Sequence, residues 1–534
     1  MENPMTQEKS EPAPLDPAHI PNDSSDSSND KYLHGLSLVF MTLSLMAGVF
    51  TLALDNCIIA TAIPKLTSDF DSLGDVAWYG SVYLLAQMSF QPTFGKLYTF
   101  FNLKWVYLGA LALFEAGSVI CAAAPNSPSF IAGRAVAGLG AAGLFCGGLI
   151  IMTQIVEMRK RPLLLSIVTS MYGVASVVGP ALGGVFTNSA RLTWRFSLGG
   201  IVGLALCFYY PASFGDVPGK TQPLRKKLAR LGFKSALILT ATLVCLFLAL
   251  QWGGAVHPWS DSRVWGCFLG FALLLILFGY IQHLQKDEAL IPLRILSQRT
   301  VFLSCAFSCL LQGGLMSQSY NLPFYFQAVK GTNAQASGID ILPYGITNSV
   351  ATVIAGSLMT LTGFYVPFMW LGSAISVTGS GLLYTLSASS PLGQWFGYQV
   401  LAGVGCGMSI QVPILAIQVV LSTVDIPLGT TLVILAQCFG GAIGLAIAQN
   451  VFQNSLFERL HEIQGIDVLS VVATGGVDLQ DIVPAKLLDA VRDAFNGAVA
   501  NAFLVAVGVG GGAFLVSLGV ERRRIQTRTT VQGS

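Results

Sequence analysis

The amino-acid sequence predicts an all-α polytopic membrane protein of about fourteen transmembrane helices. They are arranged as two six-helix bundles with two further helices inserted between them. Three observations carry this. Of the 534 residues, 53% are hydrophobic and only 10% are charged, against about 25% charged in a soluble globular protein. The apolar residues come in blocks of about 20, the length of helix that crosses a bilayer. Small-residue motifs also recur at one fixed distance along the chain. Mean hydropathy is +0.65, and a net charge of +2 gives no footprint for nucleic acid.

Residues 1–36 are polar and rich in Ser, Asp and Pro, with no basic start leading into an apolar core. They read as a disordered cytosolic tail, not a cleaved signal peptide. Asn22-Asp23-Ser24 matches the glycosylation pattern but would stay unused in the cytosol. The N-terminal bundle, 37–214, holds apolar blocks at 37–60, 77–97, 105–124, 129–152, 163–187 and 198–214; the last is short and runs into Tyr209, Tyr210 and Pro211. A basic cytosolic loop, 215–234, leads to the inserted spans at 235–253 and 264–283, and a second cytosolic loop covers 284–300. The C-terminal bundle, 301–520, holds blocks at 301–328, 340–362, 365–388, 394–421, 428–452 and 499–520. Its extracellular loop, about 455–497, has amphipathic stretches such as Pro484–Phe495 and reads as a cap. A basic cytosolic tail, 521–534, ends the chain.

Lys and Arg favour cytoplasmic loops. With the N-terminus inside, about 20 of the 29 basic residues lie inside and 8 outside, and Arg134 falls within a span. Both termini are therefore expected in the cytoplasm, which requires an even number of spans. The ten cysteines fall in or near apolar blocks and read as small buried hydrophobes. The five histidines are scattered, and no metal-ligand spacing, Walker A pattern or nucleophile–base cluster is visible. Neither a cofactor, a metal nor an enzymatic activity is expected; energy for transport would come from a gradient.

Ala137-Gly138-Leu139-Gly140 in the fourth block resembles Ala402-Gly403-Val404-Gly405 in the twelfth, an offset of 265. The same offset carries Gly179 onto Gly444 and Asp55-Asn56 onto Tyr320-Asn321. Three matches in one register describe a six-span unit used twice, as in many transporters. The halves differ in charge: Asp55 maps to Tyr320, Arg134 to Gln399 and Glu115 to Ser380. Titrating groups are therefore expected mainly in the N-terminal bundle.

Intramembrane charge is costly and marks candidate function. Asp55 lies about five residues from the outer end of span one, and Arg134 about five residues into span four from the same side. At ~1.5 Å per residue they share a depth. One reading pairs them, with Arg134 keeping Asp55 ionised until substrate or movement parts them; the other has both snorkelling to headgroups or water. Glu115, nearer mid-membrane, is either a third coupling group or a neutral packing residue.

The fifth block contains YGVASVVGPALGGVF, with Gly173, Gly179, Pro180, Gly183 and Gly184. A membrane helix tolerates Gly and Pro where neighbours satisfy the freed backbone, and small residues let helices approach closely. The expected form is a bent helix whose glycines, spaced by six and four, present roughly one face to a partner. The candidate substrate pathway carries amides and aromatics: Gln87, Gln91, Gln312, Gln318, Tyr320, Gln411, Gln418 and Gln437. Each is equally readable as an interhelical hydrogen-bonding group. Few fixed charges among them suit a neutral or weakly charged amphipathic molecule.

G-x5-G-P-x2-G-G in a fifth span is similar to the motif that marks antiporters of the major facilitator superfamily. LDNCIIATAIP (54–64) resembles the first-span motif of its fourteen-span drug:proton antiporter branch. RAVAGLGAAG (134–143) resembles the fourth-span motif, whose arginine is linked to proton transfer, a role this implies for Arg134. LALQWGG (248–254), YNLPFYFQAVKG (320–331), SGIDILPYG (337–345) and AQNVFQNSL (448–456) resemble that branch's fungal toxin and drug efflux members. The likeness runs from about residue 37 to 520. One loop departs: GKLYTFFNLK (95–104) keeps Gly95, Lys96 and Lys104, but has Thr99 for the usual aspartate and Leu103 for an arginine.

The resemblance implies a major-facilitator fold and proton-coupled efflux of a small amphipathic secondary metabolite, toxin or drug by alternating access. Its partners would be the lipid bilayer, a small-molecule substrate and protons; the oligomeric state is left open, a monomer being compatible with the sequence. The plasma membrane is the expected location, with the vacuolar membrane as alternative. Two other classes are an uptake carrier for a siderophore or nutrient, against which the antiporter-type motif argues, and a non-transporting sensor, against which the short inner segments argue.

Overall fold

The computed structural model describes residues 32–70, 76–176, 178–179, 227, 230–253, 258–473, 479 and 483–525. The described chain is built of helices, eleven of them long and apolar enough to cross a membrane. The first half contributes α1 (Gly35–Phe70), α2 (Val76–Phe100), α3 (Leu103–Ala123), α4 (Ser127–Ile155) and α5 (Arg161–Thr169). The inserted pair is α6 (Phe233–Trp252) and α7 (Ser262–Gln285). The second half contributes α8 (Arg299–Phe324), α9 (Leu342–Thr362), α10 (Val366–Tyr384), α11 (Leu392–Ser409), α12 (Val412–Val420), α13 (Ile426–His461) and α14 (Leu488–Leu518).

Local chemistry sets several of these boundaries. Asn102 and Asn126 cap α3 and α4, their side chains accepting from the N–H groups of Lys104 and Ser129, which satisfies donors a helix start leaves open. Asp261 does the same for α7 through Arg263. Pro413 interrupts the twelfth block, splitting it into α11 and α12, because it lacks an N–H to continue the ladder. Gln437 of α13 donates to the carbonyl of Ile410 at that break (3.4 Å).

The second block forms the helix α2, but its apolar content is diluted by buried Gln87, Ser89, Gln91, Thr93 and Lys96. The fifth block is helical over 161–169 and 171–176; Pro180, Gly183, Gly184 and the whole sixth block lie outside the described residues. The expected loop of about 455–497 is shorter than the sequence suggests. Helix α13 continues to His461 and α14 already starts at Leu488. Phe452, Leu456 and Leu460 carry the buried stripe of α13 onward at four-residue spacing, against Val491 and Phe495 of α14. Thus a helix selected by packing outlasts the stretch selected by hydropathy.

The two halves repeat one packing scheme. In the first, α4 packs on α2 and α3, and α1 on α5; in the second, α11 packs on α9 and α10, and α8 on α13. Gly117 of α3 faces Ala137 of α4 as Gly379 of α10 faces Ala402 of α11, each backbone to backbone with no room for a β-carbon. This close approach supplies the van der Waals contact that drives helix association in lipid. It also fixes the register of the third spans at an offset of 262, not 265, so Glu115 corresponds in position to Val377, not to Ser380.

The halves meet along α2 with α13, α5 with α9, and α4 with α13. A β-carbon on Gly95 would lie 2.5 Å from Oγ1 of Thr431, and the N–H of Leu163 donates to Oγ1 of Thr360 (3.2 Å). The inserted α6–α7 hairpin sits beside α2. Lys96, 2% exposed, holds it there by donating to the carbonyls of Arg230 (2.8 Å) and Glu288 (2.5 Å), one on each flank of the hairpin. The side chains of Arg230 and Glu288 pair with each other at 3.1 Å.

Both ends of the described chain lie on one face. Leu33, just before α1, donates to the carbonyl of Ile155 at the end of α4 (3.1 Å), and Ile525, past α14, to that of Gly363 at the end of α9 (2.9 Å). The Leu163–Thr360 bond joins these two corners.

Candidate functional site

Asp55 of α1 and Arg134 of α4 form an ion pair, Nη1 to Oδ2 at 2.6 Å. It is asymmetric: the Arg134 side chain is 3% exposed and that of Asp55 24%. Helix α2 builds the bed for the guanidinium. The Nε of Arg134 donates to the carbonyl of Tyr79 (3.1 Å), and its guanidinium carbon stands 4.4 Å from the centroid of the Tyr83 ring. Tyr79 is itself fixed by donating its hydroxyl to Oγ of Ser127 (3.0 Å), on the first turn of α4. One turn beyond Arg134, Gly138 lies directly against the carbonyl of Tyr83, where any side chain would hold α2 away. RAVAG thus supplies both the charge and the gap that lets an aromatic helix close over it.

The geometry divides the chemistry between the partners. A guanidinium stays protonated at any accessible pH, whereas a carboxylate can take a proton. The acidic member of the pair is the one partly open to its surroundings, and the basic member is sealed in protein. Losing one partner of a buried pair leaves a costly uncompensated charge. The Nη2 of Arg134 is buried and makes no hydrogen bond among the described residues.

The other sequence candidates are dispersed. Glu115 lies half-buried on α3 at the level where Phe114 meets Gly140, roughly 9 Å along α4 from Arg134, so the structure does not bring it into the pair. Gly173 and Gly179 do not share a face: Gly173 lies against Ser349 of α9 in the opposite half, and Gly179 against Cys57 of α1 in its own. Six residues turn a helix by about 240°, which separates them. Gln91 and Gln418 are buried with neither amide atom hydrogen-bonded among the described residues. Gln87 and Gln411 are also buried, Gln312 is half-buried against Gly441, and Gln437 donates to the carbonyl of Ile410. Tyr320 is 54% exposed, and Gln318 bonds Ser380 within the second half. At the position matching Arg134, Gln399 donates to the carbonyl of Asp340 (3.0 Å), keeping the backbone tie but not the charge.

Sequence reasoning passed over Tyr79 and Tyr83. Their four-residue spacing places both on one face of α2, and this was the available signal.

Two similarly packed halves of helices long and apolar enough to cross a membrane, meeting along close-packed seams, with an ion pair buried inside the first half, have the architecture of a membrane transporter. The chain belongs to the Major Facilitator Superfamily, whose family description matches residues 45–445. It is 46% identical over 513 residues to the MFS-type transporter ltbE of Aspergillus luteorubrus, covering 94% of this chain and 93% of that protein. It is 38% identical over 520 residues to the efflux pump roqT of Penicillium rubens, covering 96% of each. Against the efflux pump aunC of Aspergillus niger identity is 40% over 505 residues, covering 92% of this chain and 87% of that one. Among solved structures, the fold is similar to the proton:xylose symporter XylE (TM-score 0.58, 14% identity, 92% and 97% covered). It is also similar to the human organic anion transporter MFSD10 (TM-score 0.56, 15% identity, 89% and 100% covered). The protein is a transporter and not an enzyme.

Proposed function

We propose that this protein exports a small amphipathic molecule in exchange for protons, by alternating access between its two halves. The observation that carries the reading is the Asp55–Arg134 pair, in which the partly exposed carboxylate is the titrating member and the buried arginine its fixed counter-charge. A proton arriving at Asp55 cancels the attraction to Arg134, and that loss is the force available to move α1 against α4. The direction of flux is supported by relatives named as efflux pumps.

In this reading both chain ends face the cytoplasm, in keeping with the excess of Lys and Arg in the segments on their side, and the membrane is the plasma membrane. The cargo class follows from the interior: Gln87, Gln91, Gln312, Gln411, Gln418, Gln437 and Tyr320 offer amide and phenol groups without fixed charge, which suits a neutral molecule with a few oxygen or nitrogen atoms. Glu115 is kept as a secondary proton group on the neighbouring helix.

The test is flux of a fluorescent amphipathic drug in sealed vesicles of purified protein, with and without an imposed proton gradient. Movement opposite to the protons, abolished in Asp55→Asn, is the expected result. Movement that ignores the gradient would remove proton exchange from the mechanism, and movement with the protons would make the protein an uptake carrier.

A further inference from the structure

We infer that Tyr83 is a positioning residue for the coupling pair: its ring is the surface on which Arg134 rests while Asp55 is released. The inference rests on the proton-exchange reading above and goes beyond it, because it assigns work to a residue on a third helix.

Tyr83 is 0% exposed, and its ring lies under the guanidinium at 4.4 Å from the centroid. Gly138 on α4 presses against the Tyr83 carbonyl, so the ring is fixed to the same turn of helix that carries Arg134. The titratable groups around the pair are Tyr79 and Tyr83 from α2, Cys121 from α3, Tyr172 from the fifth span and Cys57 on α1 itself, with Tyr320 of α8 beyond Cys57. Asp55 is the carboxylate paired with Arg134; Glu115 lies farther along, on α3. When Asp55 is protonated, the Tyr79 carbonyl and the Tyr83 ring are what still hold the guanidinium.

An aromatic face is negative and attracts a cation most strongly where water is excluded. The ring therefore favours the state with Asp55 protonated over the state with Asp55 ionised, in which part of its attraction for Arg134 is offset. Without the ring, Arg134 depends more on Asp55, and the pair opens less readily. The ring lets the pair open more readily than the ion pair alone would allow, and it keeps the arginine in place to receive the carboxylate again.

The experiment compares the pH profile of gradient-driven drug flux in vesicles for the unaltered protein, Tyr83→Phe and Tyr83→Leu. Tyr83→Phe keeps the ring and should keep the profile. Tyr83→Leu should move its midpoint toward acid by about one pH unit, with folding checked by size exclusion. Tyr83→Met, which fills the space flexibly, replaces the Leu variant should that one fail to accumulate. An unshifted midpoint in a folded ring-less variant, or an equal shift in Tyr83→Phe, overturns the inference. Gradient-driven flux surviving in Asp55→Asn would instead remove the coupling reading, so the two failures are distinguishable.

Discussion

Gly179 lies so close to Cys57 of α1 that a β-carbon at position 179 would stand 2.5 Å from the Cys57 Cβ. Real side chains do not approach that near, so even alanine must push the fifth span away from the helix that carries Asp55, two residues from Cys57. Overpacking of this kind costs about 1–3 kcal/mol. Gly179→Ala should lower transport several-fold and Gly179→Leu abolish it, with membrane insertion retained. Adding Cys57→Gly should restore much of the alanine variant's flux. Flux normalised to protein in the membrane reads all three; undiminished flux in Gly179→Leu would show that this seam carries no motion.

The seam between halves at Gly95 and Thr431 gives a second test. A β-carbon at 95 would lie 3.2 Å from that of Thr431, a little closer than the roughly 3.5–4.5 Å a disulfide spans, so a slight parting of the two helices seats the bond. If α2 and α13 part during each cycle, oxidising the Gly95→Cys/Thr431→Cys double variant should stop transport, and a reductant should restore it. Equal flux before and after complete cross-linking would mean that this end of the seam stays shut.

Asp55 and Arg134 should differ in what their loss does to stability. Asp55→Leu strands a buried guanidinium, at a cost of about 3 kcal/mol or more. Changing both residues to leucine removes the stranded charge and should recover much of that loss, although coupling stays absent. Asp55→Asn keeps a hydrogen-bond acceptor but not the charge, and should unfold between the Asp55→Leu variant and the unaltered protein. Thermal unfolding in detergent orders the variants, and additive losses in the double variant would argue that the pair is not energetically coupled.

Lys96 ties the inserted hairpin to α2 through two backbone carbonyls. Lys96→Met leaves both acceptors without their donor, at roughly 1–3 kcal/mol each, less whatever water recovers. The expected result is a lower unfolding temperature and easier proteolysis at 227–232 or 286–290, measured with and without protease in detergent. Retention of both properties would leave the hairpin held by its apolar contacts with α2 alone.

The span positions were legible in the sequence because a bilayer imposes one requirement, a run of apolar residues of fixed length, and composition meets it locally. The repeat was legible for a related reason: small residues at 137–140 and 402–405 recur because each half must bring its third and fourth spans into backbone contact. What escaped depended on a second helix. Hydropathy ended the thirteenth block at 452, whereas α13 runs to His461 because α14 is there to cover Phe452, Leu456 and Leu460. The glycines at 173 and 179 read as one face until their neighbours were known, and the neighbours lie in opposite halves.

At the site the division is the same. By itself the sequence determined that Asp55 and Arg134 lie at one depth, since depth is a count of residues from the end of a span. Only the tertiary structure decided that they pair, that the arginine is sealed while the carboxylate stays partly open, and that Tyr83 lies beneath the guanidinium. Rotation about a helix axis and the choice of neighbour are set by close packing between helices, which no single helix encodes.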